Sequence, residues 1–144
     1  MSVRKILSSM GVNVSDTICP VCGDQEESID HVFLSCDKAK NIWTSFCFWW
    51  SISQFNNNTM EDLWNWSNSG NIVKGYKRGV QIAMAATLKG IWDSRNDKVF
   101  QEKTTDSYVV FKGIQEMSYL WISSRYRKFK GDRKTWIDNP LDVF

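Results

Sequence analysis

Four residues between positions 19 and 36 have the types and spacing to hold a metal ion: Cys19, Cys22, His31 and Cys36. In Cys19-Pro20-Val21-Cys22 two thiols stand three apart, eight residues lead on to His31, and four more lead to Cys36. Three thiolates and one imidazole form a common closed set for tetrahedral Zn²⁺, with ligands at ~2.0–2.3 Å and no position left for a substrate. The expected cofactor is therefore one structural Zn²⁺, and no residue is assigned a catalytic role. Gly23 follows the second thiol, where a positive φ lets the chain turn back and aim N–H groups at the sulfurs. Ser28 or Asp30 is placed to cap a turn of helix that presents His31. Five residues of ideal helix rotate a side chain by ~140° relative to the first, so the helix must end or tighten before Cys36. Two other readings stay open. One is a set of buried apolar thiols with a core histidine. The other is a Cys/His nucleophilic pair, which needs a thiolate free of the others and a third orienting group. Cys47 lies on an aromatic helix face and reads as a small core residue.

These ligands need elements to position them. A chain of 144 residues is the size of one ordinary domain. With 42% apolar residues, eight Trp and eight Phe, it has ample material for a core. From Lys38 to Trp50, Ala39, Ile42, Trp43, Phe46 and Trp49 or Trp50 recur at steps of three and four, which predicts an amphipathic helix started by Cys36 or Asp37. Thr59 to Asp62 resembles a capping box opening a short helix that carries Leu63, Trp64 and Trp66. A long helix is expected from a cap at Asn71 to about residue 100, with Val73, Tyr76, Val80, Ala83, Thr87, Gly90 or Ile91, and Val99 along one face. Gly75, Gly79 and Gly90 within it point to a bend or a close helix contact. A second runs from about Thr105 to Lys128, with Val110, Ile114, Met117, Leu120 or Trp121 and Ser124 inward. The expected fold is mostly α: one helical domain with an N-terminal Cys₃His zinc knuckle lobe at about 15–37. A helical body follows at about 38–129, then a basic irregular tail at 130–144. The lead, with Ile6, Leu7, Met10, Val12 and Val14, is read as a helix followed by an extended stretch.

Charge is distributed unevenly. The net value is only +2, yet residues 15–37 hold six acids (Asp16, Asp24, Glu26, Glu27, Asp30, Asp37) and no Lys or Arg. Near the other end, Arg125, Arg127, Lys128, Lys130, Arg133 and Lys134 face one acid, Asp132, and are interleaved with Tyr126, Phe129 and Trp136. Such a segment could bind RNA or DNA, cations on phosphates and aromatics on bases. It is equally the composition of a solvated helix end and tail. No apolar run approaches the ~20 residues that cross a bilayer, and no signal-peptide pattern opens the chain. The expected location is intracellular, nucleus or cytoplasm, so the Asn-x-Ser/Thr triplets at Asn13, Asn57 and Asn65 are taken as chance.

The run Cys19-Pro20-Val21-Cys22-Gly23, the run Glu26 to Cys36 and the set Ala39, Ile42, Trp43, Trp49 and Trp50 resemble a known family. It is the reverse-transcriptase zinc-binding domain of plant LINE-type (non-LTR) retrotransposon polyproteins. Ile91-Trp92, Arg95-Asn96 and Phe100 look like a signature of related plant sequences, and Trp136 with Asn139-Pro140-Leu141 resembles their common ending. The resemblance implies an accessory module of a protein that carries an RNA-directed DNA polymerase. Such a polymerase needs paired catalytic aspartates for two metal ions, and no adjacent Asp-Asp occurs here. The Gly70-x-x-x-x-Gly75 run has Tyr76 where a P-loop requires Lys. Three roles fit: a zinc-stabilised module that helps a polymerase engage nucleic acid, a module that docks on a reverse transcriptase domain or other protein through a Trp-rich surface, or a transposon remnant.

Overall fold

The computed structural model describes residues 17–53, 57–70, 72 and 74–143. The expected lead helix, the cap at Asn71 and the inward Val73 lie outside these residues. A π turn at His31–Ser35 leads into α1 (Asp37–Trp49), α2 (Met60–Ser67), α3 (Lys77–Gln101), α4 (Ser107–Arg125) and α5 (Arg133–Asp138). Short 3₁₀ turns cover Lys74–Tyr76 and Pro140–Val143. The described residues contain no strand, only one isolated antiparallel bridge, Ile18 to Glu26. Among the described residues no helix is long and apolar enough to cross a membrane.

Helix α1 has the predicted face. Ala39, Ile42, Trp43, Phe46, Trp49 and Trp50 are all buried, while Phe48, off that stripe, is 88% exposed. Cys36 precedes it as the cap in extended backbone, as the spacing required. At α2 the Thr59 hydroxyl accepts from Asp62 N at 3.1 Å, satisfying one of the amides that a helix start leaves unpaired.

Helices α3 and α4 are joined by a five-residue link and pack along one another. They come close at Gly90, where a built Cβ would lie 2.5 Å from Ile114 Cγ1. That glycine serves the helix contact anticipated from its position. The inward face of α4 differs from expectation. Phe111, Ile114, Gln115, Ser118 and Ile122 are buried, whereas Leu120 is 63% exposed and Ser124 is exposed. Apolar residues occur around most of α4, so periodicity left two candidate stripes. A distant tryptophan chose between them.

That tryptophan is Trp136, which corrects the expectation of an irregular tail. Asp132 caps α5 by accepting from Thr135 N at 2.8 Å, and Trp136 is fully buried. Its indole meets Trp49 at 5.6 Å, Trp50 at 5.4 Å and Phe129 at 5.7 Å, all near perpendicular. Edge-to-face pairs of this kind add ~0.5–1.5 kcal/mol each beyond the area they bury. Trp136 Nε1 donates to Ser118 Oγ at 2.9 Å, and Trp49 Nε1 donates to the Trp136 carbonyl at 3.1 Å. A polar serine faces inward on α4 because an indole N–H needs an acceptor there.

Candidate metal centre

The chain from Thr17 to Glu27 is a small knuckle. Cys19 N donates to Gln25 O at 2.7 Å and Glu27 N to Thr17 O at 2.9 Å, tying the two arms together. The reversal occurs over Pro20 to Gly23, where Gly23 N donates to Cys19 O at 2.9 Å and Gly23 has φ +73°. That backbone conformation is left-handed, which explains glycine at this place. The knuckle delivers Cys19 and Cys22 to the same side.

Ser28, not Asp30, caps the following turn by accepting from His31 N at 3.0 Å. Asp30 instead accepts from Met60 N at 2.9 Å and ties the knuckle to the start of α2. Between His31 and Cys36 the helix ends, as expected, but by widening rather than tightening. Cys36 N donates to His31 O at 2.7 Å, an i to i+5 bond. A π turn holds about 4.4 residues, so five steps return a side chain to within roughly 50° of its starting direction. The wider turn places His31 and Cys36 on one side.

The four ligand atoms of Cys19, Cys22, His31 and Cys36 all lie within 4.8 Å of one another. Tetrahedral coordination at the usual Zn–S distance sets sulfurs roughly 3.8 Å apart, so the spacing is that of ligands around one ion. Cys19, His31 and Cys36 are buried and Cys22 half-buried. His31 presents Nε2 to the cluster, 3.4 Å from Cys22 Sγ, and its buried Nδ1 has no partner among the described residues. The hydrogen bond with Cys36, helped by burial, pushes the Cys19 thiol above its ordinary range, and the same bond draws the Cys36 thiol down. Three thiolates this close repel, and a divalent cation among them is what allows all three to ionise. The donor set therefore fits a metal ion. Cys47 is buried on α1 and does not belong to the cluster.

Residues 1–43 match the family described as zinc-binding in reverse transcriptase. The matched segment contains all four residues of the cluster and ends inside α1. No curated protein matches the chain, and no solved structure does.

The spacing did not foretell how the knuckle is fastened to the helices. The Glu27 carboxylate accepts from Arg95 Nη2 at 2.8 Å and from Arg95 Nε at 3.0 Å, and both side chains are almost wholly buried. Arg95 also lies over the Trp92 ring at 5.0 Å and donates from Nη1 to Asn96 Oδ1 at 3.1 Å. Beside this pair Phe33 stacks on Trp92 at 5.9 Å, and its carbonyl accepts from Trp43 Nε1 at 2.7 Å. Nothing in the sequence singles out Glu27 among the six acids of 15–37 or pairs it with Arg95, 68 residues away.

The basic residues do not form one uniform patch. Arg125, Arg127, Lys128, Lys130, Arg133 and Lys134 are all exposed, but Arg133 is paired bidentately with Glu116, its Nε donating at 2.8 Å. Arg125 lies over Trp121 at 5.5 Å. Of the aromatics expected to stack on bases, Trp136 belongs to the core and is unavailable, and Phe129 packs against it. The Trp-rich surface likewise narrows. Trp43, Trp49, Trp50 and Trp136 are buried, while Trp64 is 68% exposed.

Proposed function

We propose that Cys19, Cys22, His31 and Cys36 hold one structural Zn²⁺ that builds the front lobe of a reverse-transcriptase-type accessory module. The observation that carries this is the convergence of four buried or half-buried ligand atoms within 4.8 Å. Zinc would supply a closed four-ligand link among the knuckle, the π turn and the start of α1, with no coordination place left for turnover. The test is metal analysis of purified protein followed by chelation. One Zn²⁺ per chain is expected. Its removal, or Cys19→Ser, should unfold the lobe and leave the α3–α4 pair helical, because structural zinc contributes on the order of 10–16 kcal/mol in small finger peptides. Protein without metal at full stability would overturn the assignment.

In a parent polyprotein of LINE type, the module's role would be to help the polymerase hold nucleic acid, through the exposed cations of 125–134. The zinc lobe itself is poorly suited to that contact, since six acids and three thiolates outweigh one dication. Affinity for RNA or DNA should fall steeply as salt rises. Absent binding, or a flat salt response, would favour docking on a protein instead, a reading supported by Trp64 standing exposed beside a hollow of about 360 Å³.

A further inference from the structure

Where α3 and α4 run side by side, the first turns of α3 face the last turn of α4 across a cleft of about 290 Å³. Arg78, Gln81, Ile82 and Ala85 line it from α3, and Trp121 and Arg125 from α4. We propose that this cleft seats one unit of a single-stranded nucleic acid, with Arg78 and Arg125 on the backbone phosphate and a base on the Trp121–Arg125 stack. The proposal rests on the nucleic-acid part of the reading above and gives it a place in the fold.

Three observations carry it. No carboxylate lines the cleft, and neither Arg78 nor Arg125 forms an ion pair with a described residue. Two exposed guanidiniums therefore line it with no carboxylate beside them. Next, Arg78 and Lys77 stand in the first turn of a 25-residue helix that has no acid there. Cations at the positive end of a helix dipole are disfavoured, and an anion bound at that end relieves both charges. Finally, Arg125 lies over the half-buried indole of Trp121. A guanidinium layered on an indole offers the flat surface on which an unpaired base stacks. The volume lies just under the ~300–1,000 Å³ of sites for small organic groups, which suits one nucleotide. The neighbouring hollow beside Trp64 shares Gln81 and Ala85 with the cleft, so a strand has a second apolar seat next to the first.

The test is fluorescence anisotropy of the zinc-loaded 144-residue chain with a labelled oligouridylate of about 12 nucleotides, a length within the range of single-strand sites. Parent protein is compared with Arg78→Gln, Trp121→Leu and the triple variant Lys128→Gln/Lys130→Gln/Lys134→Gln. Arg78 is exposed, so its variant should fold as the parent does. Trp121→Leu should weaken binding roughly tenfold, the scale of one lost stack. Arg78→Gln should weaken it and reduce the slope of log affinity against log salt by ~0.7, one phosphate contact on a single strand. If both cleft variants bind like the parent while the triple variant loses binding, the cleft proposal is overturned and nucleic-acid binding through the tail stands. If the parent binds neither the oligonucleotide nor a duplex, both fall. Preference for duplex, or equal binding of polyglutamate that is also lost in Arg78→Gln, overturns the proposal in favour of a groove-reading surface or an acidic protein partner.

Discussion

Replacing Arg95 by methionine should remove the fastening between the knuckle and α3 while preserving side-chain volume. The guanidinium and carboxylate meet at 2.8 and 3.0 Å with side-chain exposures of 5% and 0%. Unit charges about 4 Å apart at an effective dielectric of ~20 attract by about 4 kcal/mol. Deleting one partner of a buried pair typically costs ~3–5 kcal/mol, because the other charge remains buried alone. A domain is stable by only ~5–15 kcal/mol, so Arg95→Met should remove a large share of the total. Arg95 also contacts Trp92 and Asn96, and a double-mutant cycle separates those losses from the ion pair. The variants are Glu27→Met, Arg95→Met and both together, measured by urea unfolding followed by circular dichroism with zinc present. The double variant should be more stable than the two single losses added together imply, by ~2–4 kcal/mol, since it leaves no unpaired charge. Additivity within ~0.5 kcal/mol would refute the reasoning and reduce the pair to a bystander.

The tail and the helix pair offer further checks. Trp136→Ala should cost ~3–5 kcal/mol, seen as a lower urea midpoint and a loss of near-ultraviolet dichroism from the perpendicular indoles around it. Gly90→Ala should destabilise despite alanine's better helix propensity. Its Cβ would meet Ile114 Cγ1 at 2.5 Å, and the overpacking penalty of ~1–3 kcal/mol exceeds the ~1 kcal/mol gained; a raised melting temperature would show that α4 can move aside. The hydrogen bond from Arg133 holds the Glu116 carboxyl below its ordinary value of 4.5, and the Thr135 amide does the same for Asp132. Because these folded values are depressed, their stabilisation is present above about pH 4.5 for Glu116 and about pH 3.8 for Asp132, and is lost as pH falls through them. Glu116→Gln should flatten the acid limb of a pH–stability curve, and an unchanged limb would exclude the pair as a contributor.

The Cys₃His cluster was legible because metal chemistry fixes residue type and spacing locally. Helix α1 was legible for a similar reason: Ala39, Ile42, Trp43 and Phe46 form a single buried stripe, and the apolar Phe48 lies off it and is exposed. Other features depend on partners remote in the chain. Nothing near Arg95 announces Glu27, and nothing near Ser118 announces the Trp136 indole that turns it inward. In α4, Leu120 and Ile122 are equally apolar, and only packing decides that the first meets solvent and the second the core. The tail was misjudged because its charges and Gly131 outweighed one tryptophan in composition, while in energy that tryptophan decides the outcome. The π turn is the converse case. The spacing from His31 to Cys36 demanded a departure from α geometry, and of the two regular alternatives only the wider turn answers it, since at three residues per turn the two side chains would stand roughly 120° apart.

The family match stops at Trp43, midway along α1. A fragment cut there would carry its own ligands yet leave Arg95 behind, so Glu27 would lose its counter-charge to solvent. It would also amputate Phe46, Trp49 and Trp50 from the helix that holds Cys36 in place. The smallest excisable unit therefore reaches past Asn96, and the Cys₃His lobe is best regarded as a graft that lives only on its helical stock.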